Sequence, residues 1–352
     1  MEGAKKMYRT EHELFTQYDA HKKTFESMLK QRSEIQLFFS EHKFSSITFI
    51  GCGSSYSLSK SVALSVKIRL HTQTNVFAAG DLLINFDMYK DMLKDTILVS
   101  TSRSGSTSEV VKCLELAKET LGIACVSICA SKDSDIAKLA DLNIELPWAF
   151  DESVCQTRCV TNLYIANLVM IAILSNDNHL LAEIDSAITQ GSEFINKNAP
   201  LMKAIVNDND WDKVVILADA ELEGIAEEGA LAFNEISQLH SHYYHVLDVR
   251  HGPMVLANKN TLVIIVLCSS EQTYQSQLVN EFVNKGSIVL VLSNQDKNNW
   301  GSNYHVKLDP LCNSPVAGIP FIFVPQSLSF YKALSTGINP DAPDGLSPWI
   351  KL

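Results

Sequence analysis

The sequence predicts an α/β protein of two tandem units, each a mostly parallel sheet flanked by helices. Two observations carry this. In the first half, strand-type runs alternate with helix-type runs, the pattern of a parallel sheet with helices on both faces. In the second half the same order of elements returns, as an internal duplication would produce. The length of 352 residues leaves room for two cores, at about 100–200 residues per domain.

Residues 1–43 contain no Gly or Pro after Gly3 and read as a helical segment. A strand at 46–50, rich in Ile, Thr and Phe, runs into Gly51-Cys52-Gly53-Ser54-Ser55 and a helix from about 56 to 68. A second strand at 96–100 runs into Thr101-Ser102-Arg103-Ser104-Gly105-Ser106-Thr107 and a helix over 108–121. A third strand at 124–129 completes the parallel pattern, and the first unit is expected over 44–182. The polar stretch 183–212, ending in Asn207-Asp208-Asn209-Asp210, is the expected connection. The second unit, 213–330, then offers a strand at 214–218, a long helix over 223–241, a strand at 261–268, a helix at 275–284 and a strand at 287–292. Residues 331–352 form a tail. Lys94-Asp95-Thr96-Ile97-Leu98 lines up with Lys259-Asn260-Thr261-Leu262-Val263. The second copy lacks the Gly- and Ser-rich loops, so the halves are not expected to bind the same group.

The formal net charge of −11 argues against a nucleic-acid partner, which needs clustered Lys and Arg. An anionic ligand would need local positive potential from helix N-termini and oriented donors. Residues 1–10 have no apolar core of a signal peptide. The longest apolar stretch, 163–174, contains Asn167 and is shorter than the ~20 residues of a membrane span. No membrane partner is expected, and a cytoplasmic location is. The eight cysteines show no zinc-type spacing and read as buried thiols in a reducing compartment.

Chemistry concentrates in four places. The 102–107 loop leaves the carboxyl end of a buried strand, where α/β sheets bind ligands. Its hydroxyls and the free N–H groups of the next helix suit a phosphate, and Gly105 allows close approach. A capping box, Ser106 with Glu109, is the alternative and is compatible with it. The Gly51–Ser55 turn occupies the equivalent place after the first strand, suggesting two adjacent crevices lining one site. Glu228, Ala232 and Glu235 share one helix face. A carboxyl on a face of Ala, Leu, Phe and Ile fits a general base with a raised pKa, while a solvated polar stripe is the other reading. His251-Gly252-Pro253 forms a rigid turn that would fix an imidazole, unless the histidine is simply on the surface. His240, His242 and His245 invite a metal, but on the expected helix the first two point about 200° apart. No metal and no cofactor is expected.

These residues together resemble the isomerase domain of glucosamine-6-phosphate synthase and its stand-alone relatives, the sugar isomerase (SIS) family. Cys52-Gly53-Ser54-Ser55-Tyr56 is similar to the family's CGTSY, and Ser102 to Thr107 to SQSGET, its phosphate-binding loop. The stretch from Asp151 to Arg158 is similar to E-x-x-V-x-x-T-K, which closes over the sugar. The stretch from Glu228 to Ser237, followed by His251-Gly252-Pro253, matches EGALKLKEIS…HGP, and Asn339 to Leu346 resembles the C-terminal tail.

The resemblance implies two tandem SIS domains and a sugar-phosphate substrate. Glu235 would move a proton between C1 and C2, with Glu228 supporting the site. His251 would assist ring opening, reaching in from the other subunit of a homodimer or higher homo-oligomer. Ser102, Ser104 and Thr107 would hold the phosphate, Ser54 and Ser55 would lie near the sugar, and Val154 and Gln156 would belong to the closing segment. No glutaminase domain is expected ahead of residue 1, and ammonia delivery from glutamine is not implied.

Three departures refine the expectation. The family's lysine one turn before the catalytic glutamate is Ala232 here, and its tail lysine falls at Pro348. An amine able to form a Schiff base is missing at both. Related deglycases share that absence, because their substrates carry their own nitrogen at C1. Arg103 replaces a glutamine and adds a cation beside the loop, or contacts a substrate carboxylate. The expected function is a phosphosugar isomerase or deglycase acting on a ketose or amino-sugar 6-phosphate or its amine adduct. For plain ketose–aldose interconversion, Lys332 or Lys351 would have to stand in. The alternative is a non-catalytic SIS sensor regulating a partner protein. Against it stand the retained Glu235 and His251 and the lack of a DNA-binding helix pair before residue 44.

Overall fold

The computed structural model describes residues 7–267, 273–309, 314–350 and 352. They form two five-stranded parallel sheets. The first contains β1 (Ser46–Gly51), β2 (Gln73–Ala78), β3 (Thr96–Ser102), β4 (Cys125–Cys129) and β5 (Leu142–Glu145), in the order β2-β1-β3-β4-β5. The second contains β6 (Lys213–Leu217), β7 (His240–Tyr244), β8 (Thr261–Leu267), β9 (Ile288–Ser293) and β10 (Tyr304–Lys307), in the order β7-β6-β8-β9-β10. This is one topology used twice. Strands β3 and β8 open on Thr96 and Thr261, the two residues aligned from the sequence. Central strands β1, β3, β8 and β9 are buried along their whole length, as expected of parallel strands covered on both faces.

The N-terminal segment forms α1 (Arg9–Phe15), α2 (Gln17–Lys30) and α3 (Arg32–Glu41). Next come α4 (Ser54–Leu70) after β1, α5 (Ala79–Ile84) and α6 (Phe86–Tyr89) after β2, α7 (Ser108–Leu121) after β3 and α8 (Asp135–Leu139) after β4. Helices α9 (Arg158–Leu174) and α10 (Asn178–Asp208) lead to the second sheet, which carries α11 (Glu223–Ile236), α12 (Thr273–Asn284) and α13 (Gly318–Thr336).

Helices α4 and α11, the equivalent helices of the two units, pack against each other. Their approach is close enough that a Cβ on Gly224 would stand 2.1 Å from the Ser57 carbonyl. The buried Arg69–Glu221 ion pair ties the units together, and Ser65 and Ser314 also donate to Glu221, at 2.6 and 2.9 Å. Helix α9 is buried from Cys159 to Ile173 and has no charge beyond Arg158. The apolar stretch 163–174 is thus interior helix, and no described helix is long and apolar enough to cross a membrane.

Two expectations need correction. The helix expected to reach residue 241 stops at Ile236. Gln238 takes a left-handed φ of 53°, Leu239 N–H donates back to Phe233 O at 3.1 Å, and the chain becomes the edge strand β7. His240 and His242 therefore share one side of a strand and do not point apart. Among the described residues no group of three or more His, Cys, Asp or Glu could hold a metal ion. Strands β2, β5, β7 and β10 were not among the expected strands; each is a sheet edge of four to six residues in which polar residues interrupt the apolar run. The stretch 183–212 lies mostly in α10, a helix of 31 residues. Six cysteines are free thiols, and Cys268 and Cys312 lie outside the described residues.

Candidate active site

A cavity of about 170 Å³ opens at the carboxyl ends of β1 and β3. Its walls come from the turns after those strands, from α11, from the segment before α9 and from the C-terminal tail. Ser54 and Ser55 line it from the first turn of α4; Ser102, Arg103, Ser104 and Thr107 line it from the loop after β3. Val154, Gln156 and Glu235 complete the expected residues that meet there.

The loop after β3 is shaped by its own hydroxyls. Ser102 Oγ accepts from Gly105 N–H at 2.9 Å, and Ser104 Oγ accepts from Ser106 N–H at 3.2 Å. Gly105 has φ 64°, and a Cβ there would stand 2.3 Å from Ser134 Oγ, so both conformation and space demand glycine. The capping box does not form. Thr107, one residue later than expected, is the N-cap of α7, and it makes no side-chain capping bond. The first helical turn is therefore left without a side-chain cap beside the cavity. Glu109 lines the cavity instead, with Oε2 buried and unpartnered.

Two carboxyls stand two turns apart on one face of α11. Glu235, on the cavity wall, is pushed up from 4.5 to about 7 by burial, while the Arg103 charge pulls the other way. Glu228 lies deeper, 1% exposed, with Oε2 unpartnered. Burial first, then the charge of Glu235, push it well above the carboxylate range, and a hydrogen bond with Ser54 opposes them. Burial thus favours the neutral form of Glu228, while Glu235, at about 7, can take up or release a proton near neutrality. Burial also pushes the Cys52 thiol, on the same wall, up to about 11, which keeps it protonated.

The segment 151–157 hangs from two acids. Asp151 Oδ2 accepts from Thr157 N–H at 2.7 Å and Cys159 N–H at 3.0 Å, capping α9. Glu13, from α1, accepts from the backbone N–H groups of Glu152 and Ser153 and from the Ser153 hydroxyl. Burial, with the nearby Glu13 charge, pushes Asp151 up to about 7. Arg103 donates from Nη1 to the carbonyls of Ser153 (3.0 Å) and Val154 (2.9 Å) and from Nη2 to the carbonyl of Pro348. The tail crosses the cavity as Leu346 to Ile350.

Other expected residues lie elsewhere. His251 is exposed at the end of the 248–251 turn and does not line this cavity. Lys332 sits 4.4 Å over the Trp211 ring, away from the cavity, and Lys351 lies outside the described residues. Ala232 is packed with Cys155, Ile236 and Ala333. Sequence reasoning missed Glu13 and Asp151 as supports and Glu109 as a wall. For Asp151, the signal available was its place just before a helix.

A family model for the SIS domain matches residues 41–174 and 209–335. Among curated proteins the chain is similar to a glutamine–fructose-6-phosphate aminotransferase (isomerizing) of Wigglesworthia glossinidia brevipalpis, 23% identical over 95% of this chain and 57% of the relative. It spans about half the length of the curated relatives it matches. Among solved structures, tagatose-6-phosphate ketose/aldose isomerase from Escherichia coli superposes with a TM-score of 0.85 at 20% identity, over 97% of this chain and 95% of that one. Glucosamine-6-phosphate deaminase from Thermotoga maritima gives 0.77 at 25% identity, over 94% and 100%. With the matched stretches covering well over half of its length, the chain belongs to the SIS domain family.

Proposed function

We propose that the chain is a phosphosugar isomerase or deglycase acting on a ketose or amino-sugar 6-phosphate or on its amine adduct. The observation that carries this is one cavity bordered both by the hydroxyls of the 102–107 loop and by a carboxyl with a pKa of about 7. The phosphate would sit among Ser102, Ser104, Thr107 and the uncapped first turn of α7, with Ser54 and Ser55 toward the sugar. Glu235 would take the proton from C1 and return it at C2, or the reverse. In an amine adduct, loss of the C1 proton gives an enolamine and reprotonation at C2 gives the C1 imine. Water then hydrolyses the imine to an aldose phosphate and a free amine.

No lysine lines the cavity among the described residues, which suits a substrate bringing its own nitrogen. The three relatives named above share a 6-phosphorylated sugar in their names. An exposed His251 suits service to the cavity of a second copy, which would make a homodimer the working unit. Six free thiols fit a reducing compartment such as the cytoplasm.

The test is coupled-assay turnover on hexose 6-phosphates, amino-sugar 6-phosphates, and fructoselysine and glucoselysine 6-phosphates. Release of free amine identifies the deglycase, and ketose–aldose interconversion identifies the isomerase. Binding without turnover across the whole panel overturns both and identifies a sensor.

A further inference from the structure

Arg103 is a buried cation held by neutral groups. Its side chain is 5% exposed, and Nε is buried without a partner. The arginines paired with carboxylates are Arg69, Arg158 and Arg250; among the described residues Arg103 is not one of them. Burying a guanidinium against carbonyls alone is costly unless its position serves a purpose. Its contacts suggest the purpose. One planar fork reaches the Ser153 and Val154 carbonyls, 50 and 51 residues away, and the Pro348 carbonyl, 245 residues away. Arg103 itself belongs to the loop after β3, so three walls of the cavity meet at this group. Among the described residues the other hydrogen bonds at 349–352 are from Ser108 N–H to Ile350 O at 3.5 Å and from Leu352 N–H to Ser108 Oγ at 3.1 Å.

We propose that Arg103 is a positioning residue that latches the C-terminal tail and the 153–154 turn onto the 102–107 loop, setting how the cavity closes. The latch also brings a fixed positive charge to a cavity in which no other lining residue is Lys, Arg or His among those described. Neutral glutamine at this position lacks both the fork and the charge. The role rests on reading this cavity as the substrate site, but its test needs no turnover.

Hydrogen–deuterium exchange of the ligand-free protein is compared for wild type, Arg103→Gln and Arg103→Lys, and the Glu235 carboxyl is titrated by carbon-13 NMR. The ionisable groups that bear on Glu235 are Arg103 from the loop and Glu228 from its own helix, with the Cys155 thiol beside it on the 151–157 segment. In Arg103→Gln the amides of Trp349, Ile350 and Val154 should exchange about tenfold faster or more, as loss of charge-assisted hydrogen bonds implies. Glu235 should also titrate higher than in wild type. Arg103→Lys keeps the charge but lacks the planar fork and the reach that span the two segments, so exchange quickens while the titration stays near wild type. Wild-type exchange of the tail in both variants overturns the latch, as does equal acceleration in the core strand β8. If the glutamine variant fails to fold, the lysine variant carries the test. A wild-type protein without turnover on any phosphosugar would sink the proposed function and leave this result standing.

Discussion

After β1 the chain enters α4 through Gly51-Cys52-Gly53, and Ser54 and Ser55 line the cavity from the first helical turn. After β6 the equivalent turn into α11 runs through Asp219, Ala220 and Glu221. Those two acids are engaged in structure. Asp219 accepts from Val246 N–H at 3.0 Å, and Glu221 pairs with Arg69. A carboxylate at that helix entrance would repel the anion that the first copy is suited to receive. The second copy contributes from the far end of its helix instead. Glu235 is the penultimate residue of α11, where the negative end of the helix dipole adds to burial in disfavouring its charge. One ancestral turn has thus come to offer donors in one half and structural acids in the other, while the paired helices share a single cavity.

The largest expected effect breaks the second half's share. Glu235→Gln should lower turnover on any substrate found in the panel by about 10²–10⁴-fold, with circular dichroism unchanged. Retained turnover would show that the carboxyl of α11 does not do the chemistry. Next is the seam between the halves. Arg69→Met leaves Glu221 buried without its cation and should cost about 3–5 kcal/mol in urea unfolding. A loss below about 1 kcal/mol would mean that the ion pair does not hold the units together.

A pH dependence comes next. The folded pKa of Glu235, about 7, lies above its ordinary 4.5, so the native state keeps a proton that the unfolded chain releases within that window. Stability therefore falls as pH rises from 4.5 through about 7. Glu235→Gln removes this titration and should be more stable than wild type by about 1–3 kcal/mol at pH 8, the difference shrinking toward acid pH. Parallel melting curves for the two proteins at every pH would refute the raised pKa. For the first half, Ser104→Ala with Thr107→Ala should raise KM by about tenfold or more, with a smaller change in kcat. The reverse pattern would argue that these hydroxyls act on the reacting carbons and not on the phosphate.

What could be read from the sequence was local. The 102–107 loop and the four-and-three spacing of Glu228, Ala232 and Glu235 are patterns within one turn or one helix face, and the structure brings the loop and Glu235 to one cavity. The repeat was legible because Thr96 and Thr261 open equivalent strands. The end of α11 was not, because Gln238 adopts a left-handed φ that glycine usually marks. Glu13 was silent because its partners lie about 140 residues away. Arg103 drew attention as a charge, yet its carbonyl partners come from two distant segments that no spacing rule joins.

The enclosure of α9 has a consequence in time. Its Tyr164 is covered late in the chain, donating to the Pro315 carbonyl at 2.8 Å, and the α9 entrance is bonded by Gln326 to Thr157 O at 3.2 Å. A ribosome adding about 5–20 residues per second needs roughly 7–30 s to go from the end of α9 to these covering residues. For that interval the nascent chain carries a nearly charge-free helix with part of its cover still unsynthesised, so this apolar surface has to wait for the last third of the chain before it is sealed.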